Sequence, residues 1–363
     1  MNLREEILTI MQEIVTLEHR APSTEHRAPS TEPQDCPLIS IIVPVYNCGK
    51  FIAKALDSLI NQDIPTRNYE IIITDDGSTD DTPAICDTYA AQHSFIHVTH
   101  TENFGASHAR NVALPQCRGE YITFCDADDA VSPQLISVLS KAIALLHEPD
   151  IVHYGHFVEL PANGWSVYDV DNIKASEADC ISAETLAVRC AGYVGGYIWN
   201  KVFRSELAKS VRFDESVKAS EDSYWLMNVL ANNNSIRVYC IPYLLYHYIQ
   251  HPNFGQTRSL SRIYDEYGMR RSIRSYQRSL AIPTISPLVA EQFHGKIYAQ
   301  SVYSLWLYEV DIHAKAYNEF RYFMKKYARD YYLKYQTTRF TVKVKNFIKH
   351  ILILMHIRRP RRY

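Results

Sequence analysis

Three carboxylates, Asp126, Asp128 and Asp129, close the stretch YITFCDADD at 121–129. Tyr121 to Phe124 suit an extended strand, and a buried strand does not run into unpaired charge without a large cost. Alternation along an extended chain places Asp126 and Asp128 on one side. Two carboxylates side by side at a strand end suit a hard divalent cation carrying a phosphate-bearing ligand. The same residues also read as an acidic surface turn that caps the next helix, with Ser132 as N-cap and Pro133 in its first turn. Two further acidic pairs carry the same ambiguity. Asp75-Asp76 precede Gly77-Ser78 and could cap the helix that follows, and Glu221-Asp222 could be dipole partners in the first turn of a helix.

The elements that must position these groups favour chemistry. Leu38 to Val45 is a β-branched, apolar run with Pro44 at its end, which reads as a buried strand. Helical and strand patterns then alternate: a helix over 51–61, a strand over 69–74, a helix over 82–93, a strand over 95–100, a helix over 105–114 and the strand at 121–125. That order predicts an α/β fold with a mostly parallel sheet flanked by helices. Ligands of such sheets bind beyond the carboxyl ends of the strands. Tyr46-Asn47, Asp75-Asp76 and Asp126-Ala127-Asp128 all fall at those ends. Further on, the spacing predicts a helix to about 147, a strand over 151–159, a loop over 160–178, a helix over 181–191, a short segment GGYIWNKVF at 195–203 and a helix over 221–231. One or two strands follow over 236–248, and from 262 onward the pattern is helical and aromatic, a helical C-terminal extension.

The chain has 363 residues, long enough for two or three domains. Its net charge of −2 is unevenly spread, because 13 of the 38 Lys/Arg and only one of the 40 acids lie within 321–363. A basic tail on an acidic body suggests an anionic surface as partner, and no feature points to nucleic acid. The eight cysteines form no CxxC and no zinc spacing, which suggests reduced thiols in a cytoplasmic protein. No signal-peptide pattern opens the sequence, and no apolar run is long enough to span a bilayer. Residues 1–17 form an amphipathic heptad pattern (Leu3, Ile7, Ile10, Ile14, Leu17) that either docks on the body or permits a homodimer. EHRAPST occurs twice in succession, at 18–24 and 25–31, so 18–36 reads as a linker.

VPVYN at 43–47, TDDGSTD at 74–80, NFGASHARN at 103–111, GEYITFCDADD at 119–129, WNKVF at 199–203 and SEDSYW at 220–225 occur in that order. Together they resemble the family 2 glycosyltransferases, inverting enzymes of the GT-A fold, over residues 38–260. The resemblance implies a nucleotide-binding half at 38–131 and an acceptor half at 132–260, followed by the helical region 261–363. It implies that Pro44, Tyr46 and Asn47 line the nucleoside pocket, that Asp76 accepts a hydrogen bond from uracil, and that Arg110 and Asn111 open into the diphosphate region. Asp126 and Ala127 would sit against the ribose, with Asp126 also in the metal's surroundings, while Asp128 would coordinate Mn2+ or Mg2+. Trp199 and Asn200 would help form the sugar and acceptor pocket, although Trp199 also reads as core. Asp222 would be the general base. The family often has an Arg where Ile249 stands, which puts that contact in doubt; Arg258 is a substitute. His251 reads as a surface-loop residue or as a metal or phosphate ligand.

The expected function is therefore inverting, metal-dependent, non-processive transfer of a sugar from a UDP-sugar to a glycan or lipid-linked saccharide, in cell-surface polysaccharide or lipopolysaccharide synthesis. Processivity is not expected, because no QxxRW-like signature follows Asp222. A nucleotidyl- or phospho-sugar enzyme would need a basic phosphate loop after the first strand, and Tyr46-Asn47-Cys48-Gly49 supplies none. The alternative is an inactive carbohydrate- or membrane-surface-binding protein on the same fold. The tail VKVKNFIKHILILMHIRRPRR at 342–362 reads as an interfacial helix on anionic lipid, which would place the protein on the inner face of the cytoplasmic membrane, or as a helix packed on the body.

Overall fold

The structure, a computed structural model, describes residues 36–160, 164–168, 179–191, 196–233, 235–249, 266–307, 315–333 and 340–354. The expected helix at 1–17, nearly all of the linker at 18–36, His251, Arg258 and the end of the basic tail lie outside the described residues. The chain divides into two compact units.

Among the described residues the first unit holds ten strands in one sheet. In chain order its elements are β1 (Ile39–Val45), α1 (Ile52–Ile60), β2 (Tyr69–Asp75), α2 (Thr82–Gln92), β3 (Ile96–His100), α3 (Ala106–Ala113), β4 (Tyr121–Phe124), β5 (Ala130–Val131), α4 (Leu135–Leu145), β6 (Ile151–Leu160), β7 (Gly164–Tyr168) and β8 (Asp179–Ser182). After α5 (Ala183–Arg189), which belongs to the second unit, come β9 (Lys201–Arg204) and α6 (Ser205–Lys209). The last strand, β10 (Arg237–Ile249), is followed only by elements of the second unit. The strand order is β3-β2-β1-β4-β9-β6-β10-β5, with β7 on β6 and β8 on β10.

The expected α/β sheet is present, and its parallel part is β3-β2-β1-β4. Strands β1, β2 and β4 are buried on both faces, which is why they read as apolar runs, whereas β3 at the edge is only partly buried. Beyond β4 the sheet is mixed. β9 runs antiparallel to both β4 and β6, and β10 is parallel to β6. The segment GGYIWNKVF therefore contributes a central strand, not only a connection.

Two local expectations are corrected. Residues 160–178 are not all loop, since β7 pairs antiparallel with β6 from Leu160–Gly164 to His156–Tyr168. Ser132 is not the N-cap of α4, whose cap position is Gln134. The Ser132 hydroxyl donates instead to Gln134 Oε1 (2.6 Å). The acidic stretch runs on into β5, which β10 holds through the pairs Tyr246–Val131 and His247–Ala130.

The second unit contains α5, α7 (Glu221–Ala231), α8 (Glu266–Leu280), α9 (Pro287–Leu307), α10 (Lys315–Leu333) and α11 (Phe340–Leu354). The helical region therefore recruits 183–197 and 216–234 from inside the span expected to be one domain. Its core is rich in tyrosine, with Tyr298, Tyr317, Tyr327 and Tyr331 packed around Phe320, Met324 and Ile297. A buried tyrosine needs a partner for its hydroxyl. Here Tyr298 bonds Tyr332 and His350, and Tyr331 accepts from Asn346. Among the described residues no helix is long and apolar enough to cross a membrane. All eight cysteines are free thiols.

Candidate active site

The carboxyl ends of β1, β2 and β4 carry the candidate groups, and the register of the strands brings them level. Pro44 pairs with Thr74 and Val45 with Asp75, while Ile42 pairs with Phe124 at the end of β4. Tyr46 is 46% exposed. Asn47 next to it sits in the left-handed region at φ 48°, which asparagine tolerates. Its N–H donates to Ser78 Oγ (2.9 Å) and its Oδ1 accepts from the N–H of Thr79 (2.8 Å). Asn47 thus ties the loop after β1 to the loop after β2.

The second acidic pair does not cap the helix after Ser78. Asp81 holds its cap position without a side-chain cap bond, and Asp80 beside it accepts from the N–H and hydroxyl of Thr82 and from the N–H of Gly49. Asp75 is buried; it accepts from the N–H of Ser78 (3.1 Å) and lies 2.9 Å from His100 Nδ1. Asp76 is buried as well. Its two oxygens accept from the N–H groups of Phe104 (3.0 Å) and Gly105 (2.7 Å), at the start of α3. Gly77 lets the chain turn between these anchors. It sits at φ 74°, and a Cβ there would meet the backbone nitrogen of Asn103 at 2.8 Å.

Asp126 and Asp128 are both partly exposed, whereas Asp129 is buried. Asp126 Oδ1 lies 3.5 Å from Arg110 Nη2, and the buried Arg110 guanidinium stands over the ring of Phe213 (5.4 Å). Asp129 accepts from the Tyr246 hydroxyl (2.7 Å) and from the N–H of Ile249 (2.8 Å). Burial first, then the charges of Asp128 and Asp126, holds the Asp129 carboxyl well above the usual carboxylate range. The Cys48 thiol is also pushed up, to about 12, by burial and then by Asp128. Negative charge is thus concentrated around Asp126 and Asp128, and two hard oxygen donors in such a field fit a divalent cation. Among the described residues no three His, Cys, Asp or Glu side chains converge as a metal-holding group. An ion on these two aspartates would need further oxygens from a ligand.

Several expected binding residues are spent inside the protein. The Asn111 amide is fully used on the segment after α6: it donates to Phe213 O and Glu215 Oε1 (2.9 Å each) and accepts from the N–H of Phe213 (2.9 Å). The Ala127 side chain is in the core. Asn200 is buried, with Nδ2 3.1 Å from His153 Nε2 and Oδ1 accepting from the ammonium of the buried Lys201 (2.8 Å).

Trp199 follows its core reading. It is buried and stacked on Tyr246, with ring centroids 4.3 Å apart and planes 15° apart. The Tyr246 hydroxyl in turn donates to Asp129 and accepts from the N–H of Asp126 (3.0 Å). Trp199 therefore supports the acidic turn through Tyr246. Sequence reasoning missed Tyr246, since nothing in YHYI marks one tyrosine as the anchor of a turn more than a hundred residues earlier. Trp199→Ala should cost about 3–5 kcal/mol of stability, read from the urea midpoint, and Trp199→Phe clearly less.

His156 packs edge-on against Trp199 (4.8 Å). Burial, then the Lys201 charge, holds its imidazole down to about 4. An unfolded histidine titrates near 6.5. As pH falls from about 6.5 towards 4, the unfolded chain takes up a proton that the folded one refuses, so stability falls with pH in that window. The loss should reach about 2 kcal/mol at pH 5, and urea titrations at pH 7 and pH 5 should show His156→Phe relieved of most of it.

Asp222 belongs to the second unit, half-buried in the first turn of α7, with Oδ1 accepting from the N–H of Ser223 (2.7 Å). Gly196 lies against this turn so closely that a Cβ would meet Ser223 Oγ at 2.2 Å. Burial holds the Lys296 ammonium down to about 8, with Cys190 and Asp222 acting in the opposite sense.

Residues 40–168 match the family model for "Glycosyl transferase family 2". The chain is 33% identical over 221 residues to the uncharacterized glycosyltransferase EpsJ of Bacillus subtilis (strain 168), covering 60% of this chain and 62% of EpsJ. It is 30% identical over 202 residues to the poly(ribitol-phosphate) beta-N-acetylglucosaminyltransferase TarS of Staphylococcus aureus, covering 55% of this chain and 33% of TarS. The chain thus covers less than two thirds of either relative. The crystal structure of S. aureus TarS 1–349 in complex with UDP-GlcNAc shares the fold, with a TM-score of 0.61 at 20% identity, covering 88% of this chain and 92% of that one. Over residues 40–168 the chain is thus similar to glycosyl transferase family 2.

Proposed function

We infer that the protein is an inverting, non-processive glycosyltransferase that moves a sugar from a UDP-sugar to a hydroxyl of a glycan or lipid-linked saccharide. The observation that carries this reading is the convergence of an exposed aromatic ring, Tyr46, with the paired carboxylates Asp126 and Asp128 at adjoining strand ends. Further support comes from the fold shared with a TarS fragment that holds UDP-GlcNAc.

In this reading Tyr46 stacks on the base, and the loop fastened by Asn47 and Asp76 shapes the nucleoside pocket. Asp128, with Asp126 beside it, would hold Mn2+ or Mg2+ against the diphosphate. A divalent cation bound there supplies positive charge to the oxygens on which negative charge builds as UDP leaves. The acceptor oxygen attacks the anomeric carbon from the face opposite UDP, the bond from that carbon to the diphosphate oxygen breaks, and the hydroxyl proton passes to Asp222. A panel of UDP-sugars, incubated with Mn2+ or Mg2+ and assayed for released UDP, tests the donor class. Release from at least one UDP-sugar and none from matched GDP-sugars is expected; the reverse preference overturns the assignment.

A further inference from the structure

Helix α11 is attached with its polarity reversed. Among its described side chains, Asn346, His350 and Ile353 are buried, and two of these three are polar. Their spacing puts them on one face of the helix. Asn346 donates to the Tyr331 hydroxyl (2.7 Å), and His350 Nδ1 lies 2.8 Å from the Tyr298 hydroxyl. Phe347, Ile348 and Ile351 are 51%, 53% and 39% exposed. A surface helix of a globular protein normally turns its apolar stripe inward. A contiguous outward stripe marks an interaction surface.

Helix α10 extends this surface. The rings of Tyr332 and Phe347 meet edge-on at 5.6 Å, and Lys343 donates to the Tyr332 carbonyl (3.3 Å). Tyr322 and Leu333 are exposed and lie three turns apart on one side of α10. Between them Lys325, Lys326 and Arg329 are exposed, with the Lys326 ammonium over the Tyr322 ring (5.5 Å). Asp330, the one acid in 321–363, lies 2.6 Å from His294 of α9. Cations interleaved with exposed apolar side chains are the composition of a helix lying at a lipid interface.

We propose that the outer faces of α10 and α11 dock the protein on an anionic lipid bilayer, with α11 lying along the interface and its polar face held by the protein. This resolves the two readings of the tail into one: the helix packs on the body and also presents an apolar side. Charge selects lipid over a second copy of the chain. Two copies meeting through this face would set Lys325, Lys326 and Arg329 against their like, whereas anionic headgroups would neutralise them. The inference goes beyond the donor reading and does not depend on it.

The test is sedimentation of the full chain with phosphatidylcholine vesicles, with and without about one quarter phosphatidylglycerol. Wild type should bind the anionic vesicles at least about tenfold more tightly, and the difference should shrink in high salt. Ile348→Asp/Ile351→Asp and, independently, Lys326→Glu/Arg329→Glu should each lower binding to anionic vesicles about tenfold or more. Circular dichroism and UDP release should remain those of wild type. Equal binding to both vesicle types, or variants that bind as wild type does, would overturn the proposal. So would a lipid-free dimer, seen by light scattering, that Ile348→Asp/Ile351→Asp dissolves.

Discussion

Replacing Asp128 by asparagine should lower sugar transfer from a UDP-sugar by about a thousandfold. Removing one preorganised group that stabilises developing charge typically costs 10²–10³ in rate. Asp128 is expected to act on the leaving diphosphate, where an asparagine is a weaker ligand for a hard cation. The loss should be catalytic and not structural. Asp128 is partly exposed, and its charge opposes ionisation of the buried Asp129. Removing it relieves repulsion, so the Asp128→Asn melting temperature should equal or exceed that of wild type. Asp129→Asn should behave in the opposite way. Asp129 holds Tyr246 and Ile249 inside the protein, so the first effect of that variant should be on stability. Turnover by both variants alongside their melting curves separates the two roles. Asp128→Asn at wild-type turnover would remove Asp128 from the site.

Asp222→Asn should lower kcat by about 10²–10⁴ while leaving the KM for the UDP-sugar within about threefold, because a general base acts on the acceptor proton and not on donor binding. The acidic limb of the pH–rate profile should vanish with it. Helix α7 should survive the change, since the side-chain oxygen that accepts from the N–H of Ser223 has an equivalent in asparagine. A variant with wild-type kcat and an unchanged acidic limb would return Glu221-Asp222 to the plainer role of dipole partners at a helix start.

The sequence made the parallel half of the sheet legible because β1, β2 and β4 are buried on both faces and must be apolar throughout. The carboxylates beyond them, Asp75, Asp76, Asp126 and Asp128, stand out in the sequence against that background. Their division of labour was not legible. Asp76 anchors the backbone N–H groups of Phe104 and Gly105 on another loop, contacts that no local spacing encodes. For Asn111, Trp199 and Asn200 the resemblance alone implies binding roles, beside the core reading of Trp199. Their partners Phe213, Tyr246 and His153 lie far along the chain, and those partners take them into the core. Strand β7 was missed because five residues between polar flanks are too few to show a period, and pairing with β6 supplies what propensity does not. The helical C-terminal region is present, and its compact unit also draws on the separated segments 183–197 and 216–234, which no local pattern ties to it.

The central claim is that Asp126 and Asp128 serve a nucleoside diphosphate by way of a divalent cation. Calorimetric titration of UDP into wild type and Asp128→Asn, each with and without Mn2+, tests it without requiring the acceptor. In wild type Mn2+ should tighten UDP binding by at least about tenfold, and in Asp128→Asn most of that gain should disappear, while binding without metal stays within about threefold. An equal effect of Mn2+ on both proteins, or none on wild type, would contradict the account.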